Sequence, residues 1–405
     1  MTASHAPASG RPWGWLVLLY VAQGFPLGLI QEVVPAWLQD RGFGKAELGL
    51  LSFLEAAWIG KFLWAPAVDA RGTRRAWVTG GLTALAALAF LLWRFEEAGA
   101  SASVLVGIVA AMALASATQD IAIDAWAVEA FAGGPLGHVS GLRVNAARVG
   151  YLLSASALLL LVGSASLGWA GTFGVAAAAM AVAAVAVTRA PTPPRVERPP
   201  AAPLALATLV RRRGFLVLAA FLLLYKVGDY ALAPMARQFL KAPDGAGWTN
   251  AELGVSKTVG LVGTVAGCAL GGWFTQRRGL FAALLVLGVA QAGSNFAYVA
   301  AAAWPTPAVV WAAAAVEPFC GGLAMAPYGA VMLLGASRAA AGADVAAFTA
   351  VMALGRLAGG AASGYGVEAM GRVGWFTLTA LLAVPALALL PALRRAGWLA
   401  APSTK

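Results

Sequence analysis

The run "SVLVGIVAAMALASATQDIAIDAWAVEAF", Ser103 to Phe131, is 29 residues long. About twenty apolar residues in a helix suffice to cross a bilayer, so this run is long enough to span one. Its second part nevertheless carries Gln119, Asp120 and Asp124. Asp120 and Asp124 stand one helical turn apart and therefore share a face, with Ser116 one turn earlier on the same side. A charge at the bilayer centre costs at least about 2.5–3.5 kcal/mol on insertion scales. Two carboxylates on one face of a span mark a site rather than a packing surface.

Working outward, the rest of the chain is equally apolar. Of 405 residues 60% are hydrophobic and 11% charged, and the mean hydropathy is +0.78. Soluble domains are about one-quarter charged. Long apolar runs recur from end to end, whereas a membrane β-barrel would show alternating segments of about ten residues. The sequence therefore reads as an all-α polytopic membrane protein. Gly, Pro and charged clusters punctuate it into twelve spans. In the first half these are about 13–38, 46–68, 76–95, 103–131, 139–163 and 168–188. The second half gives about 215–240, 250–274, 279–302, 306–335, 343–368 and 373–393. Short loops leave no room for a soluble domain.

The formal charge of +11 is explained by topology and not by nucleic acid. Arginines collect in "DARGTRR" (69–75), at 189–213, in "TQRRG" (275–279), at Arg338 and at Arg394 and Arg395, while the opposite loops hold few. The positive-inside rule then places both termini in the cytoplasm. The Pro-rich basic stretch 191–213 reads as a linker between an N-terminal six-helix half, 1–190, and a C-terminal one, 214–405. The halves echo one another. "AELG" recurs at 46–49 and 251–254, "LASATQDIAID" aligns with "LAMAPYGAVML", and "AARVG" with "LGRLA", which matches Arg148 to Arg356. These matches share one offset, as in transporter repeats. Two six-helix halves with a basic central loop describe the major facilitator architecture, and Asp69, Gly72, Arg74 and Arg75 resemble that superfamily's loop signature after the second helix.

Other intramembrane polar residues are site candidates by the same cost argument. Paired acids resist double ionisation, which suits Asp120 and Asp124 to carrying a proton; the alternative is that both neutralise Arg148 and a neighbouring cation. "YKVGDY" puts Lys226 and Asp229 on one face, either as an internal salt bridge or as a site for an anionic or zwitterionic solute. In "AQGFPLGLIQEVVP", Gly24, Pro26, Gly28 and Pro35 are expected to break the first helix beside Gln23, Gln31 and Glu32; a plain Pro kink is the other reading. Lys61 is expected to face inward, towards Glu55 or an acid of another helix. Asp69 with its arginines reads as a gate, and Arg148 and Arg356 as structural. Cys268 and Cys320 read as core thiols and the two histidines as surface residues, so no metal site is expected. No ATP-binding P-loop and no hydrolase or zinc-protease motif occurs. The chain is therefore expected to be no enzyme and to need no cofactor.

"YVAQGFPLGLIQEVVPAWLQDRG", "AELGLLSFLEAAWIGKFLWAPAVD", "SATQDIAIDAWAVE" and "YKVGDYALAPMARQFL" resemble the AmpG-type muropeptide permeases, a major facilitator branch that also holds acetyl-CoA transporters and some siderophore importers. The resemblance covers nearly all spans. It implies proton-driven import across the inner membrane of N-acetylglucosaminyl-anhydro-N-acetylmuramic acid, with or without peptide, by alternating access. A siderophore, acetyl-CoA or another organic anion is the alternative substrate. By that resemblance Gln119, Asp120, Asp124, Lys61, Lys226 and Asp229 are carried over as site or coupling residues, and Glu32 joins the coupling candidates. The chain departs from the family in its short central linker and in Ala127, where a basic residue is frequent. The expected partners are the small-molecule substrate and the lipid bilayer, with the protein acting as a monomer and binding no nucleic acid.

Overall fold

The structure, a computed structural model, describes residues 12–41, 54–99, 102–132, 134–162, 167–193, 209–248 and 250–399. Those residues are helical and contain no strand. A bilayer interior offers no water to backbone amides, so a spanning chain must satisfy its N–H and C=O groups within each segment. Ten stretches are long and apolar enough to span.

The first stretch comprises α1 (Trp13–Gly28), a π-turn (Leu29–Val33) and α2 (Val34–Asp40). The early part of the expected span 46–68 lies outside the described residues. Its later part forms α3 (Glu55–Gly60), a 3-10 turn (Lys61–Leu63) and α4 (Ala65–Ala70). Then come α5 (Arg74–Glu97), α6 (Ala102–Ala130) and α7 (Leu136–Leu152). A second π-turn (Leu153–Leu158) leads into α8 (Leu159–Val162), followed by α9 (Gly168–Val187). The second half has α10 (Phe215–Leu224), α11 (Val227–Lys241), α12 (Asn250–Arg278), α13 (Leu280–Ser294) and α14 (Phe296–Ala303). It ends with α15 (Pro307–Gly335), α16 (Ala341–Leu381) and α17 (Val384–Arg395).

The last apolar stretch, Ala341–Arg395, has 55 residues. As one straight helix it would be about 80 Å long, more than twice a hydrocarbon core. Gly371, at φ 71° and ψ 171°, breaks it within α16. Only a glycine takes that conformation without strain, and the break leaves two bilayer-length pieces, as expected from the sequence.

Contacts divide the chain into two units. The first holds the described residues of Met1–Trp58, Ala67–Gly134 and Ala146–Pro200. In it α5 lies between α6 and α9, and α1 packs on α6. Trp37, Leu85, Met112, Phe173 and Met180 fill its core, with Trp37 edge-on to Phe173 at 5.0 Å. The second unit holds Ile59–Pro66, Pro135–Asn145 and Ala201–Lys405. There α12 runs against α15, α11 against α16, and the 3-10 turn at Lys61 also packs on α16. Of the linker 191–213, residues 194–208 lie outside the described ones. Its end is anchored: Arg212 pairs with Asp344 at 3.0 Å and donates to the Gly335 carbonyl at 2.8 Å. Outside the spans, Arg372 hydrogen-bonds Asp244 at 2.9 Å and holds that carboxyl below its ordinary range.

Candidate functional site

In the first unit, α6 carries the opening stretch. Ser116, Gln119, Asp120 and Asp124 are all buried. Tyr20 of α1 donates its hydroxyl to Asp124 Oδ1 at 2.7 Å. Gln119 Nε2 donates to the Ala22 carbonyl at 3.3 Å, and its stem lies against Gly81 of α5. Two acceptors here, Gln119 Oε1 and Gln23 Oε1, are buried without a hydrogen-bond donor. Leaving such an atom unsatisfied costs about 1–3 kcal/mol.

The first helix stays regular at Gly24 and Pro26, and its irregularity falls between Gly28 and Pro35, at Gln31 and Glu32. It runs helically through Pro26 to Gly28, and the irregular part is the π-turn after it. Gly24 and Gly28 serve close packing instead. A Cβ at Gly24 would overlap the Ala147 carbonyl, and one at Gly28 the Tyr151 carbonyl and Ser154. The two π-turns meet, and beside them Tyr151 donates to Glu32 Oε1 at 2.6 Å. Such turns recur at functional sites. Gln31 is half-buried and Glu32 exposed on the first of them.

The loop after α4 forms a separate clamp. Arg74 is 1% exposed and binds Asp69 at 2.7 Å and Glu129 at 2.8 Å; its second nitrogen reaches Glu129 at 3.0 Å. Gly72, at φ 66°, makes the turn, and Thr73 caps α5 by accepting from the Ala76 amide at 3.1 Å. Arg75 is exposed and donates to the Ala190 carbonyl at 3.3 Å. Glu129 escaped the sequence reading. It lies 55 positions from Arg74, and no spacing rule links them. A cavity of about 500 Å³ opens between α5 and α6 nearby. Its lining holds Arg71 and no acid, so it is distinct from the carboxylate pocket.

The second unit holds another charged cluster. Here the structure breaks a helix that the sequence reading left whole: α10 ends at Leu224 and α11 begins at Val227, with Lys226 at φ −111° and ψ 1°. The break frees the Tyr225 carbonyl, which accepts from Gln291 Nε2 at 3.1 Å. Lys226 Nζ donates to Asp229 at 2.7 Å, to Gln291 Oε1 at 2.7 Å and to the Gly321 carbonyl at 3.1 Å. Tyr225 donates to the Leu284 carbonyl at 3.0 Å and stacks on Tyr328, 5.3 Å between rings. Gln291 was missed as well; the available signal was the amides Gln291 and Asn295 within "LLVLGVAQAGSNF". Lys61 is also buried in this unit, while the Glu55 side chain expected to face it lies outside the described residues. Arg148 is half-buried and Arg356 exposed, so their matched positions do not give matched surroundings.

Residues 16–360 match the family model described as Major Facilitator Superfamily. The anhydromuropeptide permease of Escherichia coli (strain K12) is 30% identical over 398 residues, covering 93% of this chain and 78% of that protein. An uncharacterised protein of Haemophilus influenzae is 26% identical over 386 residues, 89% of each chain. Among solved structures, the E. coli fucose:proton symporter aligns at a TM-score of 0.70 with 14% identity, covering 94% of this chain and 98% of that one. The proton:xylose symporter XylE aligns at 0.67 with 13% identity and 94% of both chains.

Proposed function

The chain belongs to the Major Facilitator Superfamily and, within it, to the anhydromuropeptide permeases, and from that premise we propose that it imports anhydromuropeptides across the bacterial inner membrane with protons. The observation that carries this reading is the 30% identity to such a permease over 93% of the chain. The chemistry of the first unit supports it. An N-acetylated disaccharide offers many O–H and N–H donors, the groups that the buried acceptors of Gln23 and Gln119 require.

Asp120 and Asp124 take the proton. With both ionised the pocket is doubly negative in a low dielectric; one proton between them removes most of that penalty. Tyr20 donates to the Asp124 carboxylate at 2.7 Å, and the proton is shared between the two acids. Protonation then makes the loaded carrier cheaper to reorient, as alternating access demands. The clamp of Asp69, Arg74 and Glu129 takes no part in binding and acts as a latch on the movement.

The test is uptake of labelled N-acetylglucosaminyl-anhydro-N-acetylmuramic acid into proteoliposomes under an imposed proton gradient. Asp120→Asn is expected to reduce gradient-driven uptake about 100-fold, on the scale of a lost proton carrier, and to spare substrate counterflow. Undiminished uptake in both Asp120→Asn and Asp124→Asn would refute the coupling role. Uptake of a siderophore or a coenzyme A thioester in place of the muropeptide would refute the substrate.

A further inference from the structure

The second unit presents one acid more than its own ion pair needs. Lys226 has three N–H donors, and all three are used, on Asp229, Gln291 and the Gly321 carbonyl. Lys226 and Asp229 thus form a neutral, hydrogen-bonded pair, 5% and 9% exposed. Glu317 of α15 closes on the same point. A Cβ built on Gly321 would lie 3.6 Å from Asp229 Oδ2, 3.7 Å from Lys226 Nζ and 3.8 Å from Glu317 Oε1. Glu317 is half-buried and is the most exposed of the three. It stands ten positions into α15, about 15 Å along the helix, well inside the span.

Among the described residues the surroundings supply no second cation. α10 and α11 contribute Tyr225, Lys226 and Asp229; α13 and α14 contribute Gln291 and Tyr298; α15 itself adds Cys320. The face of α12 packed on this part of α15 is Gly260, Gly263 and Thr264. On α16, Arg356 is exposed and its charge acts on Tyr230, Lys257 of α12 is exposed, and Lys226 is the cation that acts on Glu317. Asn295, one turn beyond Gln291, is buried with both amide atoms lacking a protein partner, so the cluster is polar beyond its own hydrogen bonds. An ionised Glu317 in this setting would be a net negative charge in mid-span, which is costly. A protonated one is neutral.

We propose that Glu317 is a proton-carrying residue of the transport cycle, protonated beside the Lys226–Asp229 pair and deprotonated when Lys226 turns to it. The step is balanced. The O–H bond of the Glu317 carboxylic acid breaks, the proton passes to water, and the carboxylate formed takes one N–H of Lys226. Asp229 keeps the remaining share of that cation, and a proton taken from the opposite side restores the starting state. This rests on the proton-coupled reading above but places a second proton site in the other unit, independent of Asp120 and Asp124.

The deciding experiment needs no substrate. Infrared difference spectra of the purified full-length protein in lipid are recorded across a pH titration. A protonated-carboxyl C=O band is expected to titrate in the wild type, to persist in Asp120→Asn and to vanish in Glu317→Gln. Glu317→Asp, which keeps a carboxyl, retains a band with a displaced midpoint and covers the case of a poorly folding Gln variant. An unchanged band in Glu317→Gln overturns the proposal. In proteoliposomes, Glu317→Gln is expected to keep counterflow, to lose gradient-driven accumulation by about tenfold or more, and to show a flattened pH profile. Full accumulation with the wild-type pH profile also overturns it. If the wild type moves no muropeptide yet the band is lost in Glu317→Gln, the substrate reading falls and the proton site stands.

Discussion

At the scale of single residues, Gly321 tests how tightly the second-unit cluster is drawn. A methyl group there would sit 3.6–3.8 Å from three ionisable groups, an ordinary contact distance with no overlap. In a helix interior alanine is favoured over glycine by up to about 1 kcal/mol. Gly321→Ala is therefore expected to keep the thermal midpoint or raise it, as measured by unfolding in detergent. It should still lower transport several-fold, because the methyl excludes water from Lys226, Asp229 and Glu317 and raises the cost of each charged state. A loss of stability matching the loss of transport would show the position to be structural only. Residue chemistry was partly legible beforehand. Asp120, Asp124, Lys226 and Asp229 announce themselves because a charge within an apolar run has no bland explanation. Gln291 does not, because an amide is cheap enough in a span to pass for packing, and its two bonds depend on a break in a different helix.

At the scale of elements, span boundaries were readable because bilayer thickness fixes length and charge clusters fix ends; the first stretch, Trp13–Leu38, falls where the hydropathy puts it. Irregularities inside spans were not. Pro26 suggested a break and none occurs at it, since the helix is held by backbone contact between Gly24, Gly28 and the α7 chain. The break at Lys226 carries no proline; it is made by tertiary partners, Gln291 for the Tyr225 carbonyl and Tyr328 for the Leu222 carbonyl. The Asp69–Arg74–Glu129 clamp ties the loop after α4 to α5 and to the end of α6 in the same way. Removing one partner of a buried ionic group costs about 3–5 kcal/mol, whereas replacing the whole group by neutral residues is often tolerated. Arg74→Ala is accordingly expected to lower unfolding stability by about that amount, and the triple change Arg74→Met, Asp69→Asn, Glu129→Gln to recover most of it. Equal destabilisation by both would mean that the clamp's geometry matters beyond its charge balance. If the clamp is also a latch, the recovered triple variant still transports poorly.

At the scale of the whole molecule, the basic residues decide which way the helices run. Arginines crowd the turn between α4 and α5 and the last turns of α12 and α17, while the last turns of α11 have Arg237 and Lys241 and the loop after it no basic residue. Cytoplasmic connections retain such charge and exported ones lose it, so the turn after α12 should face the cytoplasm and the loop after α11 the outside. Labelling settles it. Cys268 is buried and Cys320 half-buried, and alanine at both gives a background without thiols. Pro243 and Arg278 are exposed on the two connections. In intact cells a membrane-impermeant maleimide is expected to label Pro243→Cys and to leave Arg278→Cys untouched until the membrane is permeabilised. The reverse pattern would invert the molecule in the membrane. Labelling of both sites in intact cells would point to mixed insertion, which so lopsided a distribution of arginine argues against.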